Sequence, residues 1–207
     1  MNRVALIGGG SLGVQLAHQL QLAGIQVSGF YDDVLPVGSL ANGHAVLGKL
    51  ADLLVGNGPH THVLMAIGYH HMAARQLIHE QVVAAGIPFH THIHSSAIVD
   101  PSASIAAGTV IFPGCVIDRN VRVEVNVLLN NGCIISHDSV VGGHSFLAPG
   151  VVVSGNVTIG ERNFVGSGTI IRDGLRTAAG CRFGVGSVVV KDPMREGTYF
   201  GNPARLQ

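Results

Sequence analysis

The sequence predicts two domains, an α/β unit over residues 1–96 and an all-β parallel β-helix of hexapeptide repeats over residues 97–207. Three observations carry this. A six-residue rhythm runs unbroken from Val99 to Val189, alternating strand and helix patterns with a glycine-rich turn precede it, and 207 residues suffice for two modest hydrophobic cores.

In the α/β unit, Val4-Ala5-Leu6-Ile7 reads as a buried strand that runs into the turn Gly8-Gly9-Gly10-Ser11-Leu12-Gly13. A helical stretch follows from about Leu12 to Leu22 and stops at Gly24. Ile25 to Tyr31 gives a second strand ending at Asp32-Asp33, and Thr61 to Ile67 a third ending at Gly68. A helix from about His71 to Ala85 and a short fourth strand from Ile87 to His90 complete the alternation. Such alternation builds a Rossmann-like parallel sheet, which binds ligands at the carboxyl ends of its strands.

Gly8, Gly10 and Gly13 match the dinucleotide-binding spacing, with Asp32 about twenty residues beyond, where a ribose partner is expected. Fewer than one hundred residues precede the repeat, room for one mononucleotide-binding half but hardly for two. A nucleotide-type ligand is therefore expected in preference to NAD, cradled by backbone N–H groups at the helix start. The alternatives are glycines needed only for a tight turn, and a solvated Asp32-Asp33 corner.

In the repeat, every sixth residue from Val99 is a core candidate, and fourteen of these sixteen positions are Val, Ile or Leu. Thirteen of the sixteen positions four residues later are Ala, Ser, Thr, Cys or Val. A period of six fits neither a helix nor a free hairpin, but it fits short strands and corners stacked coil on coil. Cys115, Cys133 and Cys181 occupy the small position, where packing is the expected role, and their odd number argues against a disulfide framework.

Lys plus Arg equals Asp plus Glu and no basic run occurs, so no nucleic acid is expected as partner. No segment approaches the roughly 18 apolar residues of a membrane span, and the first residues do not read as a signal peptide. No membrane insertion and a cytoplasmic location are therefore expected.

Ten of the twelve histidines precede the repeat. His90, His92 and His94 alternate along an extended segment, where a polar seam is favoured over a metal site, and His70-His71 stands where it could edge the nucleotide pocket. Within the repeat, His137 occupies a corner position and precedes Asp138, a carboxylate able to orient the ring of a general base. With three hexapeptides per coil, Gly155 stacks one coil beyond His137, offering a backbone N–H to a thioester oxyanion. A surface histidine on a corner is the competing reading.

The hexapeptides and the ending Gly201-Asn202-Pro203-Ala204-Arg205 resemble the left-handed β-helix acyltransferases. With the glycine turn, Tyr31-Asp32-Asp33, Ala66-Ile67-Gly68 and Ser136-His137-Asp138 added, nearly the whole chain is similar to the family of sialic-acid O-acetyltransferases and bacillosamine-type nucleotide-sugar N-acetyltransferases. The resemblance implies a homotrimer with acetyl-CoA in a groove between subunits. It implies a nucleotide-linked 4-amino-4,6-dideoxy sugar held at Gly10, Ser11, Leu12, Asp32, Asp33 and Gly68. His137 would be the general base, Asp138 its partner in place of the more usual Glu, and Asn130 a further active-site residue. Gly155, Ser167 and Val185 would line the acetyl-CoA groove, and no metal is implied.

Two further positions depart from the family pattern. Phe146 stands where some members carry a second histidine, with His144 two residues earlier, and Leu12 stands where the glycine turn elsewhere carries tyrosine or histidine. N-acetyl transfer is the leading expectation and sugar O-acetyl transfer the nearest alternative. A γ-type carbonic anhydrase, short of its third repeat histidine, and a nucleotide-sensing scaffold are more distant.

Overall fold

The computed structural model of the protein describes residues 3–56 and 58–207. The chain divides into two compact units, Met1–His92 and Ile93–Gln207.

In the first unit, β1 (Arg3–Ile7) leads through the glycine turn into α1 (Ser11–Leu22), which returns to β2 (Gln26–Tyr31). A hairpin of β3 (Leu40–Ala41) and β4 (His44–Gly48) precedes a one-turn helix α2 (Leu50–Leu54). Then β5 (His62–Met65) and a 3₁₀ turn at Tyr69–His71 lead to α3 (Met72–Ala84). The sheet order is β3-β4-β2-β1-β5, parallel except for the edge strand β3. The chain steps from β1 to β2 on one side and to β5 on the other, so the segments that leave the carboxyl ends of β1 and β5 part and open a crevice above the strands.

Apolar spacing explains the helix seating. Gly13, Leu16, Ala17 and Leu20 form the buried stripe of α1, while Leu53 of α2 and Val82 of α3 pack with Ala5, Ile7, Val63 and Met65. Gly13 is demanded by close approach, since a Cβ there would stand 2.1 Å from the Gly8 carbonyl oxygen. Gly8 itself sits at φ +106°, where a side chain would be strained.

The strand expected at Ile87–His90 is corrected to a single parallel bridge between Val63 and Phe89. Pro88 has no N–H to contribute, so only its carbonyl, accepting from Val63 N–H, and the His90 N–H donating back to Val63 join the sheet edge. The hairpin and helix between residues 40 and 54 are additions to the sequence reading.

The second unit is a β-helix of mostly two-residue strands in three sheets, the strands up to Val188–Val189 pairing in parallel with those 18 residues away. One face carries Val116–Ile117, Ile134–Ile135, Val152–Val153 and Ile170–Ile171 in register, a second Arg122–Val123 and Val140–Val141, a third Leu128–Leu129, Phe146–Leu147 and Phe164–Val165. The sixth-residue column fills the interior: Ile111, Leu129, Ile135, Val141, Leu147, Val165 and Ile171 have no exposed surface. Each such side chain contributes about 1.5–3 kcal/mol by leaving water. Thr177 stays buried in that column, but its strand shrinks to one bridge between Thr158 and Arg176, because the Thr177 hydroxyl accepts from Gly160 N–H and Asn163 Nδ2.

The small column does more than fill space. Thr109, Ser139, Ser145 and Thr169 each donate their hydroxyl to the carbonyl 15 residues ahead, at 2.8–3.1 Å. Cys115 and Cys133 point their thiols the same way, at 3.1 and 3.3 Å, and all three cysteines are buried and unpaired by disulfides. The chain closes with Gly197–Gly201 laid parallel on Cys181–Phe183 and folded back antiparallel through Ala204–Leu206. Among the described residues, no helix is long and apolar enough to cross a membrane.

Candidate active site

Stacking by 18 residues puts Arg119, His137, Gly155 and Asp173 on one corner of the β-helix. Backbone bonds confirm the column: Asp138 N–H donates to Arg119 O, Asn156 N–H to His137 O and Gly174 N–H to Gly155 O, all at 2.9–3.0 Å. His137 Nδ1 lies 2.9 Å from Asp138 Oδ2. An ionised carboxylate only accepts, so Nδ1 carries the proton and Nε2 keeps its lone pair for chemistry.

Gly155 abuts that ring. A Cβ on Gly155 would stand 2.7 Å from both Cε1 and Nε2 of His137, so the absence of a side chain keeps the reactive edge open. The Gly155 N–H donates to no partner among the described residues, which leaves it available as an oxyanion donor.

Asp138 is held on all sides. Its Oδ1 accepts from Asn120 Nδ2 at 2.9 Å, and its Oδ2 accepts from Arg119 Nη2 at 3.1 Å as well as from His137. The Asn120 amide first, then the His137 ring and the Arg119 charge, hold its carboxyl below the ordinary aspartate range. Asp138 adopts φ +59°, a left-handed conformation that Asp and Asn tolerate better than other side chains. Arg119 and Asn120 are site residues the sequence reading missed. Subtracting one coil, 18 residues, from His137 and Asp138 would have found them.

The remaining expected residues divide. Asn130 accepts Asn131 N–H on its own Oδ1 at 2.8 Å, and no hydrogen bond joins it to His137 among the described residues. Ser167 and Val185 stack on a different corner, with Pro113, Asn131 and Pro149, linked by Gly168 N–H to Pro149 O and Gly186 N–H to Ser167 O. One chain therefore brings His137, Asp138 and Gly155 together and leaves Ser167 and Val185 on another corner. His144 is buried on a third corner, its Nδ1 3.0 Å from Asn126 Nδ2, and Phe146 is buried against Phe164. Neither replaces a second histidine beside His137. Among the described residues, no group of three His, Cys, Asp or Glu side chains is placed to hold a metal ion. The rings of His90 and His92 are tilted neighbours with centroids 6.3 Å apart.

The first unit holds a cleft of about 620 Å³ at the crevice between β1 and β5. Gly10, Asp32, Asp33 and Gly68 line it, and so does His71. His70 stays outside the wall, its ring tilted against that of Tyr69. Ser11 and Leu12 sit beside the cleft in the first turn of α1, where the leading N–H groups have no helical acceptor. The acidic pair has structural duties. Asp32 accepts Gly9 N–H at 2.7 Å and Val34 and Leu35 N–H at 2.8 Å each, and Asp33 accepts Leu50 N–H at the start of α2. Burial alone would raise the Asp32 carboxyl, but those three N–H donors and Lys49 outweigh it and hold it low. Asp32 therefore shapes the glycine turn as well as facing the cleft.

No protein-family model matches the chain, and no curated protein does. Solved structures do. The acetyltransferase domain of PglB from Neisseria gonorrhoeae superposes with a TM-score of 0.91 at 29% identity, covering 100% of both chains. PerB from Caulobacter crescentus, solved in complex with CoA and GDP-perosamine, gives 0.90 at 27%, covering 100% of this chain and 98% of that one. The neighbours are acetyltransferases of the kind the sequence resembles. A histidine-to-asparagine variant of the Caulobacter perosamine N-acetyltransferase, also with CoA and GDP-perosamine, superposes at 0.91 with 26% identity and covers 97% of that chain. These acetyltransferases match this chain end to end, so the likeness takes in both units and not the β-helix alone.

Proposed function

We propose that the protein transfers the acetyl group of acetyl-CoA to the amino group of a nucleotide-linked 4-amino-4,6-dideoxy sugar. The observation that carries this is the His137–Asp138 pair with Gly155 against its reactive edge, in a chain matching the perosamine N-acetyltransferase along its full length. The sugar amine attacks the thioester carbonyl while Nε2 of His137 takes its proton. Asp138 supports the imidazolium, the Gly155 N–H steadies the oxyanion, and the CoA thiolate leaves with the proton returned to it. No covalent enzyme intermediate is needed.

In this reading residues 1–96 are a Rossmann-like nucleotide-sugar domain and residues 97–207 the left-handed β-helix that performs transfer. The cleft at Gly10, Asp32, Asp33 and Gly68 takes the nucleotide sugar, with Ser11 and Leu12 at the helix start facing its phosphates. Asn130 is a further active-site residue in this reading. The split of His137 and Gly155 from Ser167 and Val185 supports a homotrimer, in which a corner of one copy meets a different corner of the next and acetyl-CoA lies between them. The outward positions Ile98, Val116, Ile134, Val152, Ile170 and Val188 form an apolar stripe beside the His137 corner, with Ile98, Ile134 and Ile170 40% or more exposed, which suits burial against a second copy. A cytoplasmic location, where acetyl-CoA is at hand, completes the reading.

Incubation with acetyl-CoA and a panel of nucleotide amino sugars, with mass spectrometry of the products, tests the proposal. An amide on the sugar supports it, while an ester would move the assignment to O-acetyl transfer.

A further inference from the structure

We infer that Asn120 and Arg119 are positioning residues, the middle rung of a polar ladder that climbs one corner of the β-helix and sets the aim of the His137 base. This deepens the acetyltransferase reading and rests on it for its kinetic consequences.

The ladder is continuous over three coils. At its foot, Ser102 donates its hydroxyl to Asp100 Oδ1 at 2.6 Å and accepts the Asn120 N–H at 2.8 Å. One coil on, Asn120 Nδ2 donates to Asp138 Oδ1 at 2.9 Å, and Arg119 Nη2 donates to Asp138 Oδ2 at 3.1 Å. The same Oδ2 accepts from His137 Nδ1 at 2.9 Å. Each rung is anchored at its backbone, because Asp138 N–H donates to Arg119 O and Arg119 N–H donates to Asp118 Oδ1.

The two residues act differently. Asn120 is neutral and holds the oxygen that His137 does not use, so it fixes the rotation of the carboxylate. An Asp138 free to turn about its side-chain bond would offer Oδ2 to water and let the imidazole swing. Arg119 donates to the same oxygen as the ring, so it pins the Oδ2 that His137 uses.

Three variants separate these roles. Asn120 sits at φ +57°, so Asn120→Gly removes the amide while keeping a backbone that glycine adopts freely. It is expected to lower kcat about tenfold while leaving KM for acetyl-CoA within about twofold, as misorientation of a base does. Arg119→Met should lower kcat with KM for acetyl-CoA equally spared, and Arg119→Lys, which keeps a donor for Asp138 Oδ2, should recover part of the loss. Unchanged kcat in Asn120→Gly or in Arg119→Met overturns the inference. Nitrogen NMR shifts of the His137 ring need no substrate. They must show an Nδ1-protonated ring in wild type and a mixture of tautomers in Asn120→Gly even if wild type acetylates no nucleotide amino sugar, an outcome that would sink the functional reading alone.

Discussion

The His137 imidazole lies against the backbone of Gly155, so close that a Cβ on the glycine would stand 2.7 Å from the ring nitrogen Nε2. Two residues 18 apart in sequence thereby share one reactive edge. Gly155→Ala should displace the ring, and loss of alignment by about 1 Å costs on the order of 100-fold in rate. Steady-state kcat together with an unchanged melting temperature would show that the loss is local to the site.

Asp138→Asn keeps a residue suited to the left-handed backbone and removes the negative charge that supports an imidazolium. It should lower kcat by at least about tenfold, less than removal of His137 itself. Kinetics at saturating acetyl-CoA measure this directly, and an Asp138→Asn enzyme of wild-type rate would remove the carboxylate from the mechanism.

Asp32 gives a stability prediction with a defined pH window. Asp32→Ala leaves the N–H groups of Gly9, Val34 and Leu35 without their carboxylate acceptor, at a cost of about 1–3 kcal/mol. The folded protein holds this carboxyl low, so its contribution is present above the unfolded aspartate value of about 3.9 and fades as pH falls from there through the folded value. Urea midpoints of wild type and variant should differ at pH 7 and converge in acid. Equal gaps at both pH values would contradict the assignment.

Much of the β-helix could be read from spacing, because a six-residue corner repeats the same inward position and any interruption would shift the phase. The same arithmetic located His137 and Gly155 on one corner. One coil below, Arg119 and Asn120 look like ordinary surface residues in the sequence. The segment from Leu40 to Leu54 was illegible for a different reason. Strands of two and five residues and a five-residue helix are too short to express a hydrophobic period, and the hairpin is placed by the pairing of β4 with β2. The acidic pair Asp32-Asp33 matched a ligand-binding spacing, yet its bonds to local backbone are visible only once the turn is folded.

The apolar stripe offers a test of assembly. Ile134→Asp places a charge in the middle of the outward column, where it is harmless to a monomer and costly in a buried interface. If the proposed trimer forms, light scattering should show wild type as a trimer and the variant as a smaller species, and acetyl transfer should fall with it if the site is shared. A monomeric wild type, or full activity from a dissociated variant, would refute the shared site.

The most direct test of the central claim is acetyl transfer to a nucleotide-linked amino sugar by wild type and by His137→Ala, read by mass spectrometry. The expected result is an N-acetylated sugar from wild type and a rate lower by about 10²–10⁴-fold in the variant, with CoA binding retained. Turnover by His137→Ala close to wild type, or no amide from any sugar in the panel, would contradict it.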